Sequence, residues 1–171
     1  MIRLAIDPST KSSGFAVFDD EKLVYYNCVT SSSQNTFKRI HIMAEAVDNL
    51  IQEYKPDQVI VEDVFPEDVR NNRSVFNTLM YLQGYIMEVL TNHNIKPKFV
   101  TASHWRAECG ISTGRGIKRE SLKPADVKFV KDQFGIDVNN DIADAIGIGF
   151  SELGIKPKKT QIIEPTGFVI E

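Results

Sequence analysis

Cysteine is scarce in this 171-residue chain, and the two present, Cys28 and Cys109, stand far apart with no metal-type spacing. That excludes a zinc ribbon and a framework of several disulfides. With no secretory segment ahead of them, a reduced, cytoplasmic compartment is the expectation. Histidine is almost as scarce: His41, His93 and His104 have no partners at ligand spacing, so zinc chemistry and a histidine nucleophile are set aside and all three are assigned to structure. No apolar run is long enough to span a membrane. Positive charge is not in excess either, since the net charge is −3, which taken alone argues mildly against a nucleic-acid partner. Repeats and low-complexity segments are absent.

What the chain does have is one strongly basic stretch. From Lys96 to Lys131 nine lysines and arginines face three acids, Glu108, Glu120 and Asp126. Clustered cations on an otherwise acidic protein suit a phosphate-binding face beside a carboxylate site, although a solvated surface is the commoner meaning of a charge run.

The acids supply the other half of that picture. Asp7 closes the apolar run Ile2 to Ile6, and Glu62 closes Val59-Ile60-Val61. Asp141 and Asp144 are three residues apart, on one face of a helix. Two strands and a helix could bring four carboxylates together from three distant parts of the chain. With no His or Cys beside them the set is all oxygen, which suits Mg²⁺ or Mn²⁺ rather than zinc, and such centres usually act on phosphate esters. Each acid also has an ordinary reading. Asp7 before Pro8 could form an Asx turn, Glu62 could be solvated at a strand end, and Asp141 could complement a helix dipole behind an Asn cap. Those readings leave the coincidence unexplained, because a short apolar strand ending in an acid occurs twice and the acidic helix is rich in small residues.

Periodicity predicts strands over residues 2–7, 14–18 and 23–29, then a helix over 36–54 with Ile40, Met43, Ala44, Val47, Leu50 and Ile51 on one face. A strand at 59–61, a long helix over 71–92, a strand at 97–100 and helices near 103–109, 122–134 and 140–153 follow. The expectation is a nuclease-type domain over 1–154 and a C-terminal tail over 155–171. A three-strand meander followed by helix, strand, helix, strand and helices is the order of a ribonuclease H-like α/β fold, a mixed five-stranded sheet with helices on both faces.

At this point the residues carry a resemblance. Leu4-Ala5-Ile6-Asp7-Pro8-Ser9 with Gly14, Val61-Glu62-Asp63-Val64-Phe65, the segment with Asn72, Ser74 and Gly84, and Asp141-Ile142-Ala143-Asp144-Ala145 occur in the order found in the RuvC family of Holliday junction resolvases. The chain resembles that family up to about Leu153, and its shorter bacteriophage-type members in particular. The resemblance implies two divalent ions, Mg²⁺ or Mn²⁺, with Asp7 as the shared ligand and Glu62, Asp141 and Asp144 completing the shell. It implies no small-molecule cofactor. Phe65 matches the aromatic position that wedges at the branch point, though it could be a core residue. Among the cations, Arg106, Arg115, Lys118, Arg119 and Lys123 are candidates for contact with DNA. Trp105 could stack on a base or fill the core, and Asp63, on strand alternation, should face away from the site.

The implied activity is metal-dependent endonuclease cleavage of four-way junctions and other branched DNA, in pairs. Paired cuts on a two-fold substrate imply a homodimer, for which the long helix, carrying Val75, Leu79, Met80, Leu82, Ile86 and Met87, has more apolar surface than one stripe needs, although these residues could instead bury in the core. The alternative within the enzyme class is a related nuclease acting on flapped, single-stranded or RNA substrates. An actin-like nucleotide-binding domain and a DNA-binding module without catalysis stand further off. The first normally closes two such domains around its ligand, and the second has no support where every matching acid is present.

Overall fold

The computed structural model describes residues 1–65, 72–114, 116–117 and 119–158. Its elements run β1 (Ile2–Asp7), β2 (Ser12–Asp19), β3 (Lys22–Thr30), α1 (Thr36–Tyr54), β4 (Gln58–Glu62), α2 (Arg73–Asn92), β5 (Lys98–Val100), α3 (Ala102–Glu108), α4 (Arg119–Phe134) and α5 (Asn140–Phe150). The strands form one mixed sheet in the order β3-β2-β1-β4-β5. β1 and β3 each pair antiparallel with β2, while the pairs β1–β4 and β4–β5 are parallel.

Strand alternation divides the core in two. Leu4 and Ile6 of β1, Phe15 and Val17 of β2, and Val59 and Val61 of β4 pack with α1 and α2 on one face. On the other, Ala5, Ala16, Phe18 and Ile60 pack with Trp105 of α3, Phe129 of α4 and Ile146 of α5. The helices therefore cover both faces, as the pattern of the sequence requires. Small residues govern how closely α5 lies on the sheet: a Cβ on Gly149 would come within 2.4 Å of the Phe18 ring. This helix is buried almost throughout from Ala143 to Phe150.

The boundaries differ from the sequence expectation where caps and turns decide them. β2 and β3 are longer than the alternation suggested and are joined by a tight turn in which Asp20 takes the left-handed conformation (φ 51°). α1 starts behind Asn35, whose side chain accepts from Lys38 N at 3.1 Å, and stops at left-handed Lys55 before Pro56. α2 begins at Arg73 rather than at residue 71, behind the cap Asn72. α4 begins at Arg119, so Pro124 lies inside it rather than near its start. α5 ends at Phe150, after which Glu152 and Leu153 turn back onto Gly149 and Phe150 carbonyls.

Residues 155–158, expected to open a tail, instead lie against the domain. Ile155 packs on the core of the α5 side, and Lys158 donates from its backbone N to Gln133 Oε1 at 2.8 Å. The remainder, 159–171, lies outside the described residues, as do 66–71, Arg115 and Lys118. No helix among the described residues is long and apolar enough to cross a membrane.

Candidate functional site

Two neighbouring strands end in acids on the same side of the sheet. β1 and β4 run parallel with Ile6 opposite Val61, so the next residues, Asp7 and Glu62, lie side by side at the C-terminal edge. Alternation turns both toward α5: Asp7 follows Ala5 and Glu62 follows Ile60, and both alanine and isoleucine belong to the core on that face. The chain leaves β1 through a loop closed by Ser13, whose hydroxyl donates to Ser9 O at 2.6 Å and accepts from Ser9 N at 2.9 Å. That closure fixes where β1 stops and β2 begins.

α5 brings the other two acids. Asn139 caps it, accepting from Ile142 N at 2.9 Å, and this sets Asp141 and Asp144 in its first two turns. Gly14 lies opposite Asp7 in the β1–β2 ladder, and a Cβ there would sit 1.9 Å from the backbone oxygen of Asp141. Only glycine lets the start of α5 approach β2 this closely. The four sequence-derived acids thus meet at one end of the sheet, and the three neighbouring carboxylates act electrostatically on Asp7.

Of the carboxylates outside Asp7, Asp141 and Glu62 each accept a hydrogen bond, and Asp144 has a guanidinium nearby. Ser12 Oγ donates to Asp141 Oδ2 at 2.5 Å. Trp105 Nε1 donates to Glu62 Oε2 at 2.6 Å. Arg106 Nη2 stands 3.9 Å from Asp144 Oδ2, while the same guanidinium bonds both oxygens of buried Asp126 at 2.8–3.1 Å. Trp105 and Arg106 are consecutive on α3, with the guanidinium 4.3 Å from the indole centroid. Sequence reasoning did not single out Ser12 or Asp126. Trp105 was open between core and base stacking, and its ring is fully buried.

Burial and crowding of like charge hold two of the acids toward the protonated form. The Asp7 carboxyl is well above the usual carboxylate range, first because it is desolvated and then because Glu62, Asp144 and Asp141 surround it. Asp144 is pushed up to about 8 by desolvation and by Asp126, with Arg106 opposing. Among the described residues, no three acids, histidines or cysteines stand close enough as placed to grip an ion ready-made. The donor chemistry nevertheless fits a hard divalent cation. The ligands are all carboxylate, and Asp144 Oδ1 is buried with no donor to satisfy it when the acid is ionised, the neighbouring Asp126 being itself a carboxylate, so that an ion would satisfy it.

Asp63 faces elsewhere: its Oδ1 accepts from Val64 N at 2.9 Å and from Gln83 Nε2 of α2 at 3.3 Å. Arg106, expected among the DNA-facing cations, is instead largely buried and paired with Asp126 and Asp144, because α3 packs it inward. Lys123 is exposed on α4. The basic stretch is less free than its composition suggests, since Lys98 pairs with Glu152, Lys128 with Asp132 and Lys131 with Asp137. Arg115 and Lys118 lie outside the described residues, and Arg119 is described only as the first residue of α4. Phe65, just beyond β4, is 37% exposed. Of the histidines, His93 bonds Asp48 at 2.6 Å and His41 meets Tyr85 at 3.3 Å, both remote from the four acids in the chain's layout between α1 and α2. A cleft of about 630 Å³ beside α4, lined in part by Cys109, Ile111, Phe129 and Pro157, contains none of the four carboxylates.

Comparison with known proteins places this geometry in a family. The family described as crossover junction endodeoxyribonuclease RuvC matches residues 3–151. A protein of that name from Fusobacterium nucleatum is 27% identical over 150 residues, covering 85% of this chain and 76% of its own length. Another, from Rickettsia felis, is 27% identical over 161 residues, covering 88% and 96%. Among solved structures, RuvC of T. thermophilus in complex with Holliday junction substrate superposes with a TM-score of 0.71 at 16% identity, covering 88% of this chain and 92% of that one. The yeast mitochondrial Holliday junction resolvase superposes at 0.53, with 11% identity over 88% of this chain and 77% of that one. At such identities the structural likeness speaks for the fold, which is the ribonuclease H-like sheet expected from the order of elements. The sequence match runs from β1 to the end of α5, and the chain belongs to the RuvC family of crossover junction endodeoxyribonucleases.

Proposed function

We propose that this chain cleaves four-way DNA junctions by paired, metal-dependent hydrolysis of phosphodiesters, with Asp7, Glu62, Asp141 and Asp144 as the metal-holding acids. The observation that carries this reading is the convergence of acids from β1, β4 and α5 on one end of the sheet, with a buried, unsatisfied oxygen on Asp144. These four residues would hold one or two Mg²⁺ or Mn²⁺ ions, which when bound lower the pKa of an attacking water and stabilise the leaving oxygen. Asp7, crowded by the other three, takes the central position. Trp105 and Ser12 keep Glu62 and Asp141 oriented, and Arg106 offsets part of the negative charge around Asp144.

Branched DNA is the substrate class this reading assigns. Phe65, exposed beyond the end of β4, serves as the apolar wedge that replaces stacking at the branch point. Lys123, with Arg115, Lys118 and Arg119 in the same stretch of sequence, supplies phosphate contacts. A two-fold dimer delivers the two opposed cuts. Its face is the outer side of α1 and α2, where Phe37 is 72% and Tyr81 56% exposed and their rings stack at 6.4 Å, with Val75, Met80, Tyr85 and Met87 also exposed. The two cysteines are free, consistent with a cytoplasmic setting.

The test is to offer end-labelled four-way junction, flap, single strand, plain duplex and an RNA–DNA hybrid with Mg²⁺, using wild type and Phe65→Ala. Symmetric nicks confined to the junction, reduced more by Phe65→Ala there than on a pre-opened flap, support the proposal. Preference for flaps, single strands or RNA would move the assignment to a related nuclease.

A further inference from the structure

The oxygen atoms of the α5 acids are not equivalent. Ser12 Oγ holds Asp141 Oδ2 at 2.5 Å, and Arg106 stands by Asp144 Oδ2 while Asp144 Oδ1 is buried without a partner. Both ends of the Ser12–Asp141 bond are anchored. Ser12 opens β2, in register with Thr30 and followed by buried Ser13, which ties the preceding loop through Ser9. Asp141 sits in a capped first turn whose backbone is pressed onto Gly14. The backbones that carry the two side chains are thus held by a strand and by a capped helix.

We propose that Ser12 sets the cation selectivity of the carboxylate centre: by occupying one oxygen of Asp141 it leaves that acid a single oxygen for an ion, which favours Mg²⁺ over Ca²⁺. This rests on the metal-centre reading above. The two cations differ in how they use carboxylates. Mg²⁺ demands a near-octahedral shell and takes one oxygen per carboxylate, whereas the larger Ca²⁺ gathers six to eight oxygens and often chelates a carboxylate through both. An Asp141 with one oxygen committed to a fixed hydroxyl loses little toward Mg²⁺ and much toward Ca²⁺.

The experiment uses the full chain, stripped with EDTA, and follows its melting temperature against MgCl₂ or CaCl₂ without DNA, so that binding is read apart from cleavage. Ser12→Thr keeps the hydroxyl, and Ser12→Val removes it at nearly the same volume. The ratio of Ca²⁺ to Mg²⁺ dissociation constants should fall about five-fold in Ser12→Val and in Ser12→Ala, and stay within about two-fold of wild type in Ser12→Thr. An unchanged ratio in both hydroxyl-free variants overturns the assignment. So does failure of both to fold, by circular dichroism, while Ser12→Thr folds, since Ser12 would then be a structural residue. A wild-type chain that responds to neither cation, or an Asp7→Asn chain that responds like wild type, instead removes the metal centre itself, and the inference with it.

Discussion

The indole N–H of Trp105 donates to Glu62 Oε2 at 2.6 Å from a ring with no exposed surface, so the domain core and the acid cluster share one side chain. The ring is also wedged against α5, where a Cβ on Gly147 would lie 2.5 Å from it. Packing therefore fixes the direction of the donor, and the donor fixes one oxygen of Glu62. Removing the donor takes away a hydrogen bond to a charged group, worth about 1.5–3 kcal/mol. A double-mutant cycle of Trp105→Phe with Glu62→Ala, read from urea midpoints, should return a coupling of about that size. Strictly additive effects would mean that the contact carries no energy.

Gly14→Ala tests how tightly α5 is seated. The new methyl would overlap the Asp141 carbonyl, a backbone atom that cannot turn aside, so the start of α5 must move and take Asp141 and Asp144 with it. Displacement of about 1 Å at a reacting centre costs about 100-fold in rate. Junction cleavage should fall by that order while junction binding, measured by gel shift, persists. Cleavage at the wild-type rate would show that the geometry at α5 is not limiting.

Arg106→Met should be costly for a different reason. It strands Asp126, which has no exposed surface and takes its charge-assisted bonds from the guanidinium. Breaking a buried pair from one side costs about 3–5 kcal/mol. Pairing it with Asp126→Leu should restore most of the urea stability without restoring cleavage, because the charge beside Asp144 is still missing. A single variant within about 1 kcal/mol of wild type would contradict the buried-pair account.

The places of the four acids at two strand ends and on one helix face, and the order of the elements along the chain, were legible in sequence because both follow from local pattern. An acid ending a short apolar run marks a strand end, and two acids three apart share a helix face. The donors that hold those acids were not legible. Ser12 and Asp141 are 129 residues apart, Trp105 and Glu62 43, and nothing nearby in the sequence announces either contact. Arg106 read as one cation in a basic run, and Asp126 as one acid in a solvated helix. In the structure α4 turns Asp126 inward and leaves Glu120 exposed, a distinction that its weakly patterned sequence does not encode.

Stability without metal should depend on pH in the direction set by Asp7 and Asp144. Both have folded pKa values above their unfolded ones, so the folded chain holds more protons than the unfolded chain across the interval between. Stability is then fully present below the ordinary aspartate range and is lost as pH rises toward about 8, the value for Asp144. In EDTA the melting temperature should be higher at pH 5 than at pH 8, and Mg²⁺ should raise it at pH 8 far more than at pH 5. Asp144→Asn should flatten the EDTA profile. A wild-type profile that rises with pH over this interval would contradict the assignment.

A supercoiled plasmid carrying an extruded cruciform offers the most direct test of the acid quartet as the centre for paired junction cleavage. With Mg²⁺ the wild-type chain should convert it to linear DNA, because two symmetric cuts are made before the complex dissociates. Asp7→Asn should leave it supercoiled while still retarding a four-way junction in a gel. Linear product at the wild-type rate from Asp7→Asn, or nicked circles alone from the wild type, would contradict the account.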